Sequence, residues 1–168
     1  MASIWARLGD CDKALECLNI LSRSCLLSNL FTVHNDWRNM GLSMEIDTAP
    51  VQLDASMGII NAIQEMLLFV SPNLLKLLPA LPSKWKKGCI ENFRFMTGRV
   101  SVKWNSEAKL FYSEIKADRD TELTIKLPGF TKNISFRGED ISIKDSNLGD
   151  KYYHIKMDKG RTLIIKSI

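Results

Sequence analysis

Apolar residues fall at two different spacings along this chain, and the change from one to the other divides it. Over residues 4–21 and 59–70 they recur every three or four positions, and from Gly88 they recur every two. Ile4, Leu8, Cys11, Leu15, Leu18 and Leu21 mark one helical face, but Gly9-Asp10 interrupts it with a stop followed by a cap. The spacing therefore predicts two helices, over residues 2–8 and from 11 to about 23, meeting at a tight turn. The first is so short that it depends on packing, because helix nucleation is costly, and it reads as the tail of a longer helix. Farther on, Ile59, Ala62, Ile63, Met66, Leu67 and Val70 form a second apolar stripe. It predicts a third helix, entered through a short extended piece over 52–54 and capped by Asp54 or Ser56.

Residues 24–50 have no convincing period, and so long a stretch without structure of its own is uncommon in a compact chain. It holds His34, Asn35, Asp36, Trp37, Arg38 and Asn39, a dense set of polar groups around one aromatic ring. Sugar sites use such mixtures, since a ring covers C–H groups while amides, carboxylates and imidazoles take the hydroxyls. A polar surface loop anchored by Trp37 is the other reading of the same residues. After the third helix, Pro72, Pro79 and Pro82 break any continuation, and five leucines among them predict a stiff, buried connector. The change of domain is expected there, with a helical part over 1–87 and a β part over 88–168.

Beyond Gly88 the alternation predicts strands over 89–95, 100–104, 110–117, 122–127, 132–136, 141–144, 152–157 and 162–166. Turns are expected at Gly98, Asn105, Pro128-Gly129, Gly138, Gly149 and Lys159-Gly160. Short antiparallel strands at this interval predict a β-sandwich.

With 168 residues, 45% of them hydrophobic and 25% charged, the chain can bury one ordinary core or two small ones. The net charge of +4 arises wholly beyond residue 87, where 15 Lys+Arg face 11 Asp+Glu. The signs are interleaved there, so no basic tract suits nucleic acid. Cys11, Cys17, Cys25 and Cys89 have no C-x-x-C spacing and no histidines in step, which argues against a metal site; no cofactor is implied. No apolar run reaches bilayer length, and the opening M-A-S-I-W-A-R-L is too quickly interrupted for a signal peptide, so no membrane partner is expected.

No G-x-S-x-G, phosphate-cradling glycine loop or H-E-x-x-H is present. Carboxylates remain: Asp36, Glu45, Asp47 and Asp54 cluster, and Glu65 follows Asp54 by eleven residues. On one helix that spacing is about 16 Å, too far for both to flank one glycosidic bond, so Glu65 reads as structural. Asp54 is either a helix cap or a positioned base.

The segments V-Q-L-D-A-S-M-G, the following E-M-L-L, L-L-P-A-L-P-x-x-W-x-x-G and V-x-W, with W-A-R-L-G-D and N-L-F-x-x-H upstream, stand in an order that resembles the C-terminal part of glycoside hydrolase family 95. That is a family of inverting α-L-fucosidases, some acting on α-L-galactosides. The resemblance covers most of residues 5–104. It implies an α+β fold: the closing helices of an (α/α)₆ barrel followed by an antiparallel β-sandwich. It implies that Asp54 is the aspartate of the family's Q-[IL]-D-[GA]-N-x-G segment, which activates water with two upstream asparagines while an upstream glutamate acts as the acid. Neither the acid nor those asparagines has a counterpart here. Ser56 stands where the family usually has Asn, His34 is similar to a pocket histidine, and Trp37, Gln52 and Ser56 join it as expected substrate contacts. The implied partner is a fucosylated or related oligosaccharide bound by a complete barrel, and self-association through an exposed helical face is expected of a C-terminal fragment. The other expectation is a non-catalytic sandwich that binds carbohydrate or serves as a scaffold.

Overall fold

The computed structural model describes residues 1–34 and 50–167. The chain forms two compact units, Met1–Met66 and Leu67–Ile168. The division falls before the proline-rich connector in which the sequence places it.

The first unit holds helices α1 (Ala2–Leu8), α2 (Cys11–Ser24) and α3 (Leu53–Leu67), the last running one residue past it. Gly9 ends α1 in the left-handed region at φ 83°, where a residue without Cβ is unstrained, and the amide of Asp10 closes back on the Trp5 carbonyl at 3.0 Å. Asp10 then caps α2, its Oδ1 accepting from the Lys13 amide at 3.1 Å. The stop and cap expected from Gly9-Asp10 are thus both made. Ala6, Ala14, Val33, Ala62 and Met66 are buried in this unit.

The predicted third helix is shorter than its apolar stripe. Leu68–Ser71 is strand β1, and it turns through Pro72-Asn73 into β2 (Leu74–Leu77). The expected connector is therefore partly sheet: β2 pairs in parallel with β6 (Thr121–Lys126), Leu75 lying opposite Ile125. Pro72 sits in the turn, where its missing N–H costs no ladder bond.

The eight strands predicted beyond Gly88 are all present: β3 (Lys87–Phe95), β4 (Gly98–Asn105), β5 (Leu110–Ala117), β6, β7 (Ile134–Arg137), β8 (Ile141–Asp145), β9 (Tyr152–Met157) and β10 (Thr162–Ser167). They make two five-stranded sheets, ordered β1-β2-β6-β9-β8 and β3-β4-β5-β10-β7. Among the described residues every pairing within β3 to β10 is antiparallel, as expected of this part, and the one parallel pairing is that of the connector strand β2 with β6. Leu75, Leu77, Leu123, Ile125, Ile155 and Met157 of the first sheet share one core with Val100, Val102, Phe111, Ile115, Leu163 and Ile165 of the second. Two sheets closed over a common apolar layer are the arrangement of a β-sandwich.

Candidate functional site

After α2 the chain reverses at once. The Phe31 amide bonds Asn29 Oδ1 at 3.1 Å, the Leu27 amide bonds the Phe31 carbonyl at 2.8 Å, and Leu30 takes a φ of 66°. An asparagine side chain that mimics a backbone turn explains why so tight a loop forms here. Thr32 then lies opposite Leu26, and Val33 opposite Val51. The His34 amide donates to the Pro50 carbonyl at 3.1 Å and the Gln52 amide to the Thr32 carbonyl at 2.8 Å. Two extended residues on each side thus clamp the segment ending at His34 to the segment leading into α3.

Polar side chains lock this clamp to the helix. Thr32 is fully buried, and its amide donates to Ser56 Oγ at 3.1 Å while the two hydroxyl oxygens lie 3.0 Å apart. The Gln52 carbonyl accepts the Ser56 amide at 3.2 Å, which opens the helical ladder, and also receives the hydroxyls of Thr32 and Ser56. Each buried polar group of the trio has a partner, so the knot adds rigidity without an unpaired donor.

Asp54 is the second residue of α3 and is exposed. The sequence puts it ahead of the helix as a possible cap; the helix instead begins at Leu53, because Gln52 supplies the first carbonyl and Ser56 spends its hydroxyl on Thr32. In the first turn a carboxylate still faces the positive end of the helix dipole. His34 is exposed two residues beyond Thr32, and Gln52 is half-buried and engaged through its backbone. The fold therefore joins Gln52 and Ser56 to Thr32 and ties the His34 backbone to Pro50, while Asp54 follows Gln52 by two residues in the first turn of α3. Trp37 lies outside the described residues, as do Asn35, Asp36, Arg38 and Asn39 of the same polar cluster.

Glu65 is in a different situation. It is buried near the C-terminal end of the same helix, held by the Arg7 guanidinium through both oxygens. It is spoken for and stands about three helical turns from Asp54, so the two carboxylates do not form a catalytic pair. Chemically, the helix start offers one exposed carboxylate at Asp54, and the clamped segment carries an exposed imidazole at His34. Such a group can take a proton from water. Among the described residues no cluster of His, Cys, Asp or Glu could hold a metal ion.

Thr32 was not anticipated. It occupies an unspecified position of N-L-F-x-x-H, and its role depends on a contact 24 residues away with Ser56, which no local pattern signals.

Comparison with known proteins adds an independent line. A family model described as glycoside hydrolase family 95, C-terminal domain, matches residues 71–165. The chain is similar to Alpha-L-fucosidase 2 of Arabidopsis thaliana, with 32% identity over 116 residues that cover 61% of this chain and 12% of that protein. The chain thus spans about an eighth of the length of the curated relative it matches.

Proposed function

The chain belongs to glycoside hydrolase family 95, and from that premise we propose that it is the C-terminal part of an inverting glycosidase acting on an α-L-fucoside or a related α-L-galactoside. Residues 1–66 are, in this reading, closing helices of an (α/α)₆ barrel, and the sandwich follows them in the chain. Asp54 is the base that draws a proton from water as it attacks the anomeric carbon. A carboxylic acid outside this sequence protonates the leaving oxygen, at the 6.5–9.5 Å or so from Asp54 that single displacement requires. His34, Trp37, Gln52 and Ser56 contact the sugar or hold the base in position.

The observation that carries the reading is the exposed Asp54 on the first turn of a helix whose start is braced by Thr32, Gln52 and Ser56. A cap alone needs no such bracing. The composition of α3 supports the barrel: Leu53, Met57 and Ile60 lie along one exposed side, while Ala62 and Met66 are buried on another. A helix apolar on opposite sides is one that belongs inside a larger helical body. The name of the Arabidopsis relative supports the choice of sugar.

The 168-residue chain assayed alone against an aryl α-L-fucoside is expected to give no turnover, since it supplies only the base. Turnover abolished by Asp54→Asn would keep the base and overturn the external acid. Turnover that survives Asp54→Asn would overturn the role of Asp54 itself.

A further inference from the structure

The outward face of the second sheet carries a polar cleft remote in sequence from Asp54. Along β4 the residues Arg99, Ser101, Lys103 and Asn105 point away from the core, as do Tyr112 and Glu114 of β5, while their neighbours Val100, Val102, Phe111, Ser113 and Ile115 are buried. Register sets them side by side: Lys103 lies opposite Tyr112, and Ser101 opposite Glu114. On the far side of β4, strand β3 slips its register between Ile90 and Phe93, so that Glu91 and Asn92 together occupy the place facing Ser101. Asn92 takes a φ of 54°, and its amide donates to Ser101 Oγ at 3.1 Å. A bulge with a residue in the left-handed region re-aims side chains, and this one brings an acid and an amide over the same patch. The result is an open cleft of about 510 Å³ lined by Glu91, Asn92, Ser101, Lys103, Tyr112 and Glu114.

Its chemistry is selective. Tyr112 offers a half-buried ring with Lys166 Nζ 5.6 Å from its centroid, and its hydroxyl donates to Glu114 Oε2 at 3.2 Å. Lys103 Nζ lies 3.7 Å from Glu91 Oε1. With Lys166 beside Tyr112, two carboxylates face two ammoniums and give no positive excess, which disfavours phosphate or nucleic acid, and a lining so rich in polar groups disfavours a lipid chain. What suits one ring surrounded by acceptors and donors of both kinds is a neutral, polyhydroxylated ring with one C–H face. We infer that this cleft is a saccharide-binding site, separate from the site at Asp54, which holds one sugar residue on Tyr112 with its hydroxyls shared among Glu91, Asn92, Ser101, Lys103 and Glu114. A single ring, not a row, limits recognition to a terminal or isolated unit of the glycan.

Titration of the ¹⁵N-labelled 168-residue chain with methyl α-L-fucopyranoside, methyl β-D-galactopyranoside and 2′-fucosyllactose tests this by amide shifts. At least one probe is expected to give saturable shifts centred on Asn92, Ser101 and Tyr112. Tyr112→Ala is expected to weaken that binding about tenfold. Asn92→Gly keeps the left-handed backbone while deleting the amide, and is expected to weaken it several-fold in a chain whose other amide shifts are unchanged. Asp54→Asn should leave binding as it is, so failure at one site is distinguishable from failure at the other. No saturable shift with any probe, shifts confined to residues outside the cleft, or parental affinity in both Tyr112→Ala and Asn92→Gly would overturn the assignment.

Discussion

Arg7 grips Glu65 across 58 residues with two hydrogen bonds, Nε to Oε2 at 3.0 Å and Nη2 to Oε1 at 2.5 Å. The pair ties α1, which is too short to persist alone, to α3. Its two ends are unequal: the Glu65 side chain is 10% exposed and that of Arg7 61%. Removing the arginine strands a carboxylate in a nearly closed site, whereas removing the acid leaves a guanidinium that water can reach. Arg7→Ala is therefore expected to lower the denaturant midpoint of the helical unit further than Glu65→Gln. Equal losses, or the reverse order, would show that the pair does not hold α1 in place.

Ser56 joins the clamp to the helix through Thr32, so its hydroxyl should matter to both. Ser56→Ala is expected to cost about 1–2 kcal/mol, since it leaves the buried Thr32 amide without its acceptor. Faster hydrogen exchange at the Thr32 amide, relative to amides within α2, is the direct readout. Unchanged exchange there would mean that the backbone bridge alone fixes this segment.

What could be read from the chain follows from how local each signal was. Alternation such as Val100, Val102 and Trp104 depends on one sheet face being buried, so it located every strand beyond Gly88. Strands β1 and β2 escaped notice because Val70 still fits the helical stripe of Ile63, Met66 and Leu67. The partner that makes β2 a strand, β6, also lies about fifty residues away in parallel. The same limit applies near Asp54: local spacing marks the start of α3 to within two residues, but the Thr32–Ser56 bond that sets where α3 begins is a tertiary contact. Glu65 was legible as structural from helical geometry alone, though its partner Arg7 was not.

Two glycines separate a clash from a strained backbone. A Cβ on Gly98 would stand 2.1 Å from the Lys116 carbonyl oxygen, on the backbone of the adjoining strand, which cannot move aside without opening the β4–β5 ladder. At Gly160 a Cβ meets nothing within 4 Å, but φ is +86°. Gly160→Ala is expected to cost about 1–2 kcal/mol, the penalty of placing an L-residue in that region. Gly98→Ala is expected to cost about 3 kcal/mol or more through enforced repacking. Chemical denaturation of the two variants compares them, and similar losses would sink the distinction.

Acid should weaken the turn between α1 and α2 in a defined direction. The Asp10 carboxyl is held below its ordinary value of 3.8, foremost by its bond with the Lys13 side chain and then by the Lys13 amide. A carboxyl depressed in the folded state contributes in full above its unfolded value, and that contribution is lost as pH falls through the folded one. The stability difference between the parent chain and Asp10→Ala is thus expected to be constant near neutrality and to shrink on acidification below about pH 4. Denaturation series at stepped pH read this directly, and a gap that widens in acid would contradict the assignment.

The exposed side of α3 leads to a prediction about association. Met57 is 63% exposed and Ile60 61%, and with Leu53 they recur at intervals of four and three on a helix whose other side already buries Ala62 and Met66. Ile4 and Leu8 of α1 and Ile20 of α2 are exposed as well. Apolar surface of this kind on a free chain drives association, because each buried methylene removes about 0.8 kcal/mol of unfavourable contact with water. Light scattering of the 168-residue chain is expected to show concentration-dependent species larger than 19.1 kDa. The double variant Met57→Gln with Ile60→Gln is expected to shift the population toward monomer without loss of helical circular dichroism. A parent chain that stays monomeric at high concentration would remove the exposed helical stripe as a contact surface, and with it a main support for helices packing there in a larger barrel.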